Sequence, residues 1–216
     1  IEPYKKLILR YNMFFCDKTS IMSCEKEQLL QKIKVATQEK FSCDVITSLK
    51  TNSGNTQQTE RVNIDMMRDV LNDLGVSYKE AGSQQSKDFR NVGGIGINLE
   101  IKKTDSNHIY FNDTCPSSDI DYIIFYTGKK YKNKEDIPPM ILFVNGEEFL
   151  KDTDEWLPNY QRKLEELKNE FSRGENKKNL GGILEVYPRP TYKADISKLI
   201  QNNIATLSAI QDLDLV

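Results

Sequence analysis

Residues 86–103 read SKDFRNVGGIGINLEIKK, and the fold reading of the whole 216-residue chain turns on them. Two short runs rich in β-forming residues, Asp88 to Val92 and Gly96 to Lys103, flank a pair of glycines, Gly93 and Gly94. Strand–glycine turn–strand is a hairpin signature, because glycine alone adopts positive φ without steric cost. Successive strand side chains point to opposite faces. Glu100 and Lys102 therefore share one face, and Leu99 and Ile101 turn to the other. A two-residue turn would set Asp88 opposite Leu99, with Asp88 and Glu100 on opposite faces. A three-residue turn, or an equivalent bulge, would set Asp88 directly across from Glu100, and that register is the one expected.

Outward from this hairpin, the element types change along the chain. Lys26 to Lys40 places Leu29, Leu30, Ile33 and Ala36 on one helical face, with Ser23 upstream as a cap. Thr51 to Thr59 is a polar loop, followed by a helix with Thr59 as N-cap, Ile64, Met67, Leu71 and Leu74 as its core stripe, and Gly75 as its stop. After the hairpin come strands at His108 to Asn112, Asp121 to Tyr126 and Met140 to Val144. Asp154 to Phe171 is a helix with Trp156 or Leu157 facing the core, Trp156 being the expected core residue. Gly182 to Tyr187 reads as a strand, ended by Pro188-Arg189-Pro190, and a last helix starts near Asp195. Helices, then a meander of strands, then helices predict an α/β (α+β) fold: a mixed central sheet flanked by helices. The organisation expected is one domain over residues 1–216, with a mainly helical part at about 1–75 and a sheet core at about 76–190.

Composition agrees with an ordinary globular protein: 38% hydrophobic and 29% charged residues. The net charge of −2 argues against a protein that merely coats nucleic acid. No run of roughly 20 apolar residues is present, and charges at Glu2, Lys5, Lys6 and Arg10 do not read as a signal peptide, so a cytoplasmic location is expected. Cys16, Cys24, Cys43 and Cys115 lack paired close spacing, which favours reduced thiols over a structural zinc site. His108 is the one histidine, so chemistry built on several histidines has no material.

Two converging carboxylates, Asp88 and Glu100, make a hard-oxygen site suited to Mg²⁺. Lys102 beside them can orient water or stabilise negative charge on a phosphate. Asp88, an eleven-residue spacer, then Glu100-Ile101-Lys102 resembles the PD-(D/E)xK nuclease superfamily, most of all type II restriction endonucleases. The family's proline before the aspartate is Lys87 here. The resemblance implies Asp88 and Glu100 as metal ligands, with the Ile101 carbonyl as a third, and Lys102 as the catalytic lysine. It implies a restriction-endonuclease-like fold and Mg²⁺, with Mn²⁺ able to substitute. The expected activity is hydrolysis of double-stranded DNA at a short, palindromic site by a homodimer. Glu60 or Asp69, on the helix before the hairpin, is an additional candidate acid, Glu60 being the one expected. Alternatives of the same family are repair and recombination nucleases. From another class, a non-catalytic DNA-binding protein would use Glu100 and Lys102 as a plain ion pair.

Candidate DNA contacts follow from side-chain chemistry. Gln84, Gln85 and Ser86 lead into the Asp88 strand, and Asn112 and Asp113 leave a later one; amide groups suit adenine edges. Arg189 and Lys193, in the stretch YPRPTYK at 187–193, suit guanine edges or phosphate. Basic clusters at Lys129, Lys130, Lys132 and Lys134, and at Lys177 and Lys178, could neutralise further phosphates.

Overall fold

A computed structural model describes residues 18–49, 56–80, 87–112, 115–128, 137–151, 156–172 and 191–213. The expected N-terminal helix, α1, runs Lys18–Lys40, so Ser23 lies inside it rather than capping it. A short α2 (Cys43–Ser48) follows, capped by the Ser42 hydroxyl, which accepts from Val45 N. Helix α3 (Thr56–Asp73) starts three residues before Thr59. It ends at Gly75, whose φ of 65° suits glycine, and Val76 N donates back to Leu71 O at 3.0 Å.

Five strands form one sheet in the order β1-β2-β3-β5-β6: β1 (Lys79–Glu80), β2 (Phe89–Val92), β3 (Ile97–Thr104), β5 (Asp121–Tyr126) and β6 (Met140–Asn145). Neighbours are antiparallel except β3 and β5, which run parallel. The connection between those two includes β4 (His108–Asn112), which leaves the sheet and pairs antiparallel with β7 (Thr191–Asp195). Thr104, Ser106 and His108 make the turn into β4: Thr104 Oγ1 donates to His108 O at 2.7 Å, and Ser106 N donates to Thr104 Oγ1. A 3₁₀ turn (Gly146–Phe149), α4 (Trp156–Ser172) and α5 (Ser197–Leu213) complete the described elements. Asp195 opens α5 by accepting from Ser197 N, and hydrogen bonds from the Ser197 hydroxyl first and then its N–H hold the carboxyl below the usual range.

The sheet has two covered faces, and strand alternation decides what each receives. Phe89, Val92, Ile97, Leu99, Ile101, Ile123 and Phe125 face the helices, packing with Ile33, Phe41, Ile46, Met67, Val70 and Leu71. Phe41 and Phe125 set their ring centroids 4.6 Å apart. Each such fully buried side chain contributes roughly 1.5–3 kcal/mol of transfer free energy. On the opposite face Tyr122, Ile124, Tyr126, Leu142 and Val144 pack with Ile109 and Phe111 of β4, Ala194 of β7, and Ile196 and Ile200. The molecule thus has three layers: helices, a mixed sheet, and a β-ribbon with α5.

Two expectations need correction or lie out of reach. Trp156 is not core: it is 53% exposed, whereas Leu157 is 2% exposed. The helix begins at Trp156, and a one-residue step of about 100° carries Leu157 onto its inward stripe and Trp156 off it. Tyr160 and Leu167 of the same helix are exposed as well. The strand expected at 182–187 falls outside the described residues; the strand seen in this region is β7, farther along.

Candidate active site

The β2–β3 hairpin is held in register by a bulge. Val92 pairs with Ile97 across the Gly93–Gly96 turn, but Phe89 pairs with Leu99, so β2 carries one extra residue between the two pairs. Asn91 absorbs it with a φ of 47°, an asparagine-tolerated left-handed conformation. Side chains finish the interrupted ladder: Gly96 N donates to Asn91 Oδ1 at 2.9 Å, and Asn91 N donates to Asn98 Oδ1 at 3.3 Å. Continued by one residue, the Phe89–Leu99 register sets Asp88 across from Glu100. That is the alignment expected, reached through a bulge rather than a three-residue turn.

Asp88 does not point away from the hairpin. Its Oδ2 accepts a hydrogen bond from Ile101 N at 2.7 Å. The carboxylate thus takes the ladder position that a further β2 residue would have filled, and it sits beside the peptide linking Glu100 to Ile101. On the strand opposite, Glu100 is 7% exposed and its Oε1 lies 2.5 Å from Lys102 Nζ. Lys102 is also placed over the Phe111 ring, 5.3 Å from its centroid. Phe111 itself is boxed by Tyr122, Phe149 and Tyr192 in edge-on contacts at 5.2–5.8 Å. A negative partner on one side and an aromatic face on the other restrict where the ammonium can go.

The surroundings reinforce this placement. Tyr122 pairs with Glu100 across β3 and β5, and its hydroxyl accepts from Ser117 N at 3.2 Å. Burial first, and then the Glu100 charge, push the Tyr122 phenol well above its ordinary range. Lys87 pairs with Asp119, and Asn98 Nδ2 donates to Asp119 O at 3.1 Å. Lys87 and the Ser117 hydroxyl hold the Asp119 carboxyl below the usual carboxylate value. This cluster pins the approach to Asp88 onto the loop before β5. It could not be read from the sequence, because Lys87 and Asp119 are 32 residues apart.

Lys103 confirms the facing of β3. It turns to the helical side, where Nζ donates to Leu49 O at 3.0 Å, satisfying a carbonyl at the end of α2. Glu60 lies on α3, which packs on that same helical side, across the sheet from Glu100; its side chain lies outside the described residues. Lys193 of β7 pairs with Tyr110 of β4 and is exposed, its Nζ 5.9 Å from the Tyr110 ring. Both residues lie on the outer side of the ribbon, turned from the Glu100–Lys102 face that Phe111 covers. The Asn112 backbone pairs with Thr191. Gln84, Gln85, Ser86, Asp113 and Arg189, and the lysine clusters at 129–134 and 177–178, lie outside the described residues.

Among the described residues no group of three or more His, Cys, Asp or Glu side chains could hold a metal ion. Cys24, Cys43 and Cys115 are free thiols, the first two exposed. Asp88, Glu100 and the Ile101 carbonyl offer two carboxylates and one backbone oxygen. That donor set fits Mg²⁺, which keeps several waters and is held by one or two carboxylates plus substrate phosphate. It does not fit zinc, which wants nitrogen or sulfur ligands. No described helix is long and apolar enough to cross a membrane. Compared with protein-family models, with curated proteins and with solved structures, the chain matches none.

Proposed function

We propose that this chain is a Mg²⁺-dependent endonuclease of the PD-(D/E)xK kind, with Asp88, Glu100 and Lys102 as its catalytic residues. The supporting observation is one contact: the Asp88 carboxylate on Ile101 N, 2.7 Å away, beside the buried Glu100–Lys102 pair. Asp88, just ahead of β2, and Glu100 and Lys102 of β3 thereby converge on the middle of β3. Asp88, Glu100 and the Ile101 carbonyl would hold the ion. Bound there, Mg²⁺ would favour ionisation of a coordinated water and offset charge on the scissile phosphate.

The chain's own residues carry the rest. Lys102 has three N–H donors, and Glu100 takes one direction; the others are available to orient water and a phosphate oxygen. Phe111 and the burial around Tyr122 limit water on the ribbon side. Asp88, Asn98 and Arg90 are half-buried rather than buried, so the site opens toward β2. The substrate is double-stranded DNA, and the reading extends to a type II restriction endonuclease acting as a homodimer on a palindrome, since two antiparallel strands call for two-fold symmetry. A methyltransferase gene beside this one would favour restriction over repair or recombination.

The competing reading, a structural ion pair in a non-catalytic protein, draws on the deep burial of Glu100 and its direct pairing. Incubation with supercoiled plasmid and long phage DNA separates the two. Cleavage in Mg²⁺ or Mn²⁺, none in EDTA, and binding without cleavage in Ca²⁺ are the expected results. Full activity in EDTA, or no cleavage of any DNA in Mg²⁺, overturns the nuclease reading.

A further inference from the structure

From its place on β2 we infer that Arg90 grips a backbone phosphate of the bound DNA beside the catalytic centre, a role that rests on the nuclease reading above. Register fixes its facing. In the β1–β2 pair, Glu80 lies opposite Phe89 and Lys79 opposite Arg90. Phe89 is fully buried in the helical core, and Glu80 bonds Arg68 of α3, so that pair faces the helices. Lys79 and Arg90 therefore face the other way, toward the side that carries Glu100 and Lys102. The bulge agrees: Arg90 and Asn91 together oppose Asn98, which shares its face with Glu100. Arg90 stands two residues from Asp88, roughly 7 Å along an extended chain.

The guanidinium lacks what such a group normally has. Its Nε is buried and donates no hydrogen bond, and among the described residues no carboxylate forms an ion pair with it. Directly across the ladder stands another cation, Lys79, and like charges in that position are destabilising. A buried donor without an acceptor costs stability too. An anion between β1 and β2 relieves both, and the planar fork of arginine matches two phosphate oxygens at once. The site opens on this side, so the DNA strand that reaches Asp88 and Glu100 passes over Arg90.

The test compares wild type with Arg90→Gln and Arg90→Lys, measuring affinity for labelled random-sequence duplexes in Ca²⁺ across a salt series. Loss of one phosphate contact lowers the slope of log affinity on log salt by about 0.9. Arg90→Gln is expected to show that drop and to bind roughly tenfold more weakly at low salt. Arg90→Lys keeps the slope but loses bidentate geometry, so cleavage in Mg²⁺ falls more than binding. Thermal unfolding of Arg90→Gln without DNA is expected unchanged or raised, because the repulsion with Lys79 is gone. Wild type that binds DNA with a slope equal to that of Arg90→Gln overturns the Arg90 role and leaves the nuclease reading standing. So does a variant that unfolds early yet binds normally, since Arg90 is then structural. Wild type that neither binds nor cleaves DNA overturns both.

Discussion

Replacing Lys102 by methionine tests whether the Glu100–Lys102 pair is catalytic machinery or only scaffolding. Methionine keeps most of the aliphatic stem and its contact with Phe111, and removes the charge. The Glu100 side chain, 9% exposed, then sits buried with no cation beside it. Stranding one member of a fully buried pair costs roughly 3–5 kcal/mol. The Lys102 side chain is 21% exposed, so water offsets part of this and about 2–3 kcal/mol is expected. In a domain of this size that lowers the unfolding midpoint by roughly 5–10 °C. Glu100→Gln is milder, about 1 kcal/mol, because the ammonium left behind can swing to water. The double variant strands no charge, so its cost should fall below the sum of the singles by about 1–2 kcal/mol. Circular dichroism melts and urea titrations of the four proteins measure this cycle, and nicking of long DNA measures activity. All three variants should be inactive, the double variant while well folded. A Lys102→Met cost below about 0.5 kcal/mol would mean an exposed pair of little weight and would refute the burial argument. A folded double variant that still cleaves would refute the catalytic assignment.

Three further outcomes are expected. Lys103→Ala removes the donor to Leu49 O and should cost about 1 kcal/mol in urea unfolding while cleavage persists; equal loss of activity from Lys102 and Lys103 variants would mean β3 faces the wrong way. Gly93→Ala forces a side chain onto a φ of +71° with its Cβ 2.4 Å from Leu29 Cδ2, so a loss of at least about 1–2 kcal/mol is expected, and a neutral result would count against this turn. Tyr122 holds its proton more tightly folded than unfolded, because of burial and then Glu100, so its contribution is present below the unfolded value near 10 and is lost as pH rises through the folded one. Tyr122→Phe should therefore flatten the alkaline limb of the stability curve, and a difference from wild type that stays constant above about pH 10 would contradict it.

Much of the candidate site's geometry was legible because it is local. Glu100, Ile101 and Lys102 lie on one strand, where period-two alternation assigns faces without any knowledge of neighbours, and the opposite turns of Lys102 and Lys103 follow from it. Strands β2 to β6 and the helical stop at Gly75 were likewise readable, from short β-rich runs between turn signals and from glycine's tolerance of positive φ, whereas the two-residue β1 was not. What the sequence alone could not decide was every feature made by residues distant along the chain. The Asp88 register needed an extra residue in β2, and Asn91 supplied it through its own side chain, a choice that glycine counting does not foresee. The parallel pairing of β3 with β5, and the departure of β4 to join β7, set which face of the sheet the helices cover. That choice put α3, and Glu60 with it, across the sheet from Glu100, and turned Lys193 outward. Periodicity suggested an apolar stripe on α4, but Trp156, Tyr160 and Leu167 are exposed and Leu157 is buried, because only the packed neighbours decide which helix positions are covered. Spacing along the chain determines which side chains share a face; tertiary packing alone determines what that face meets.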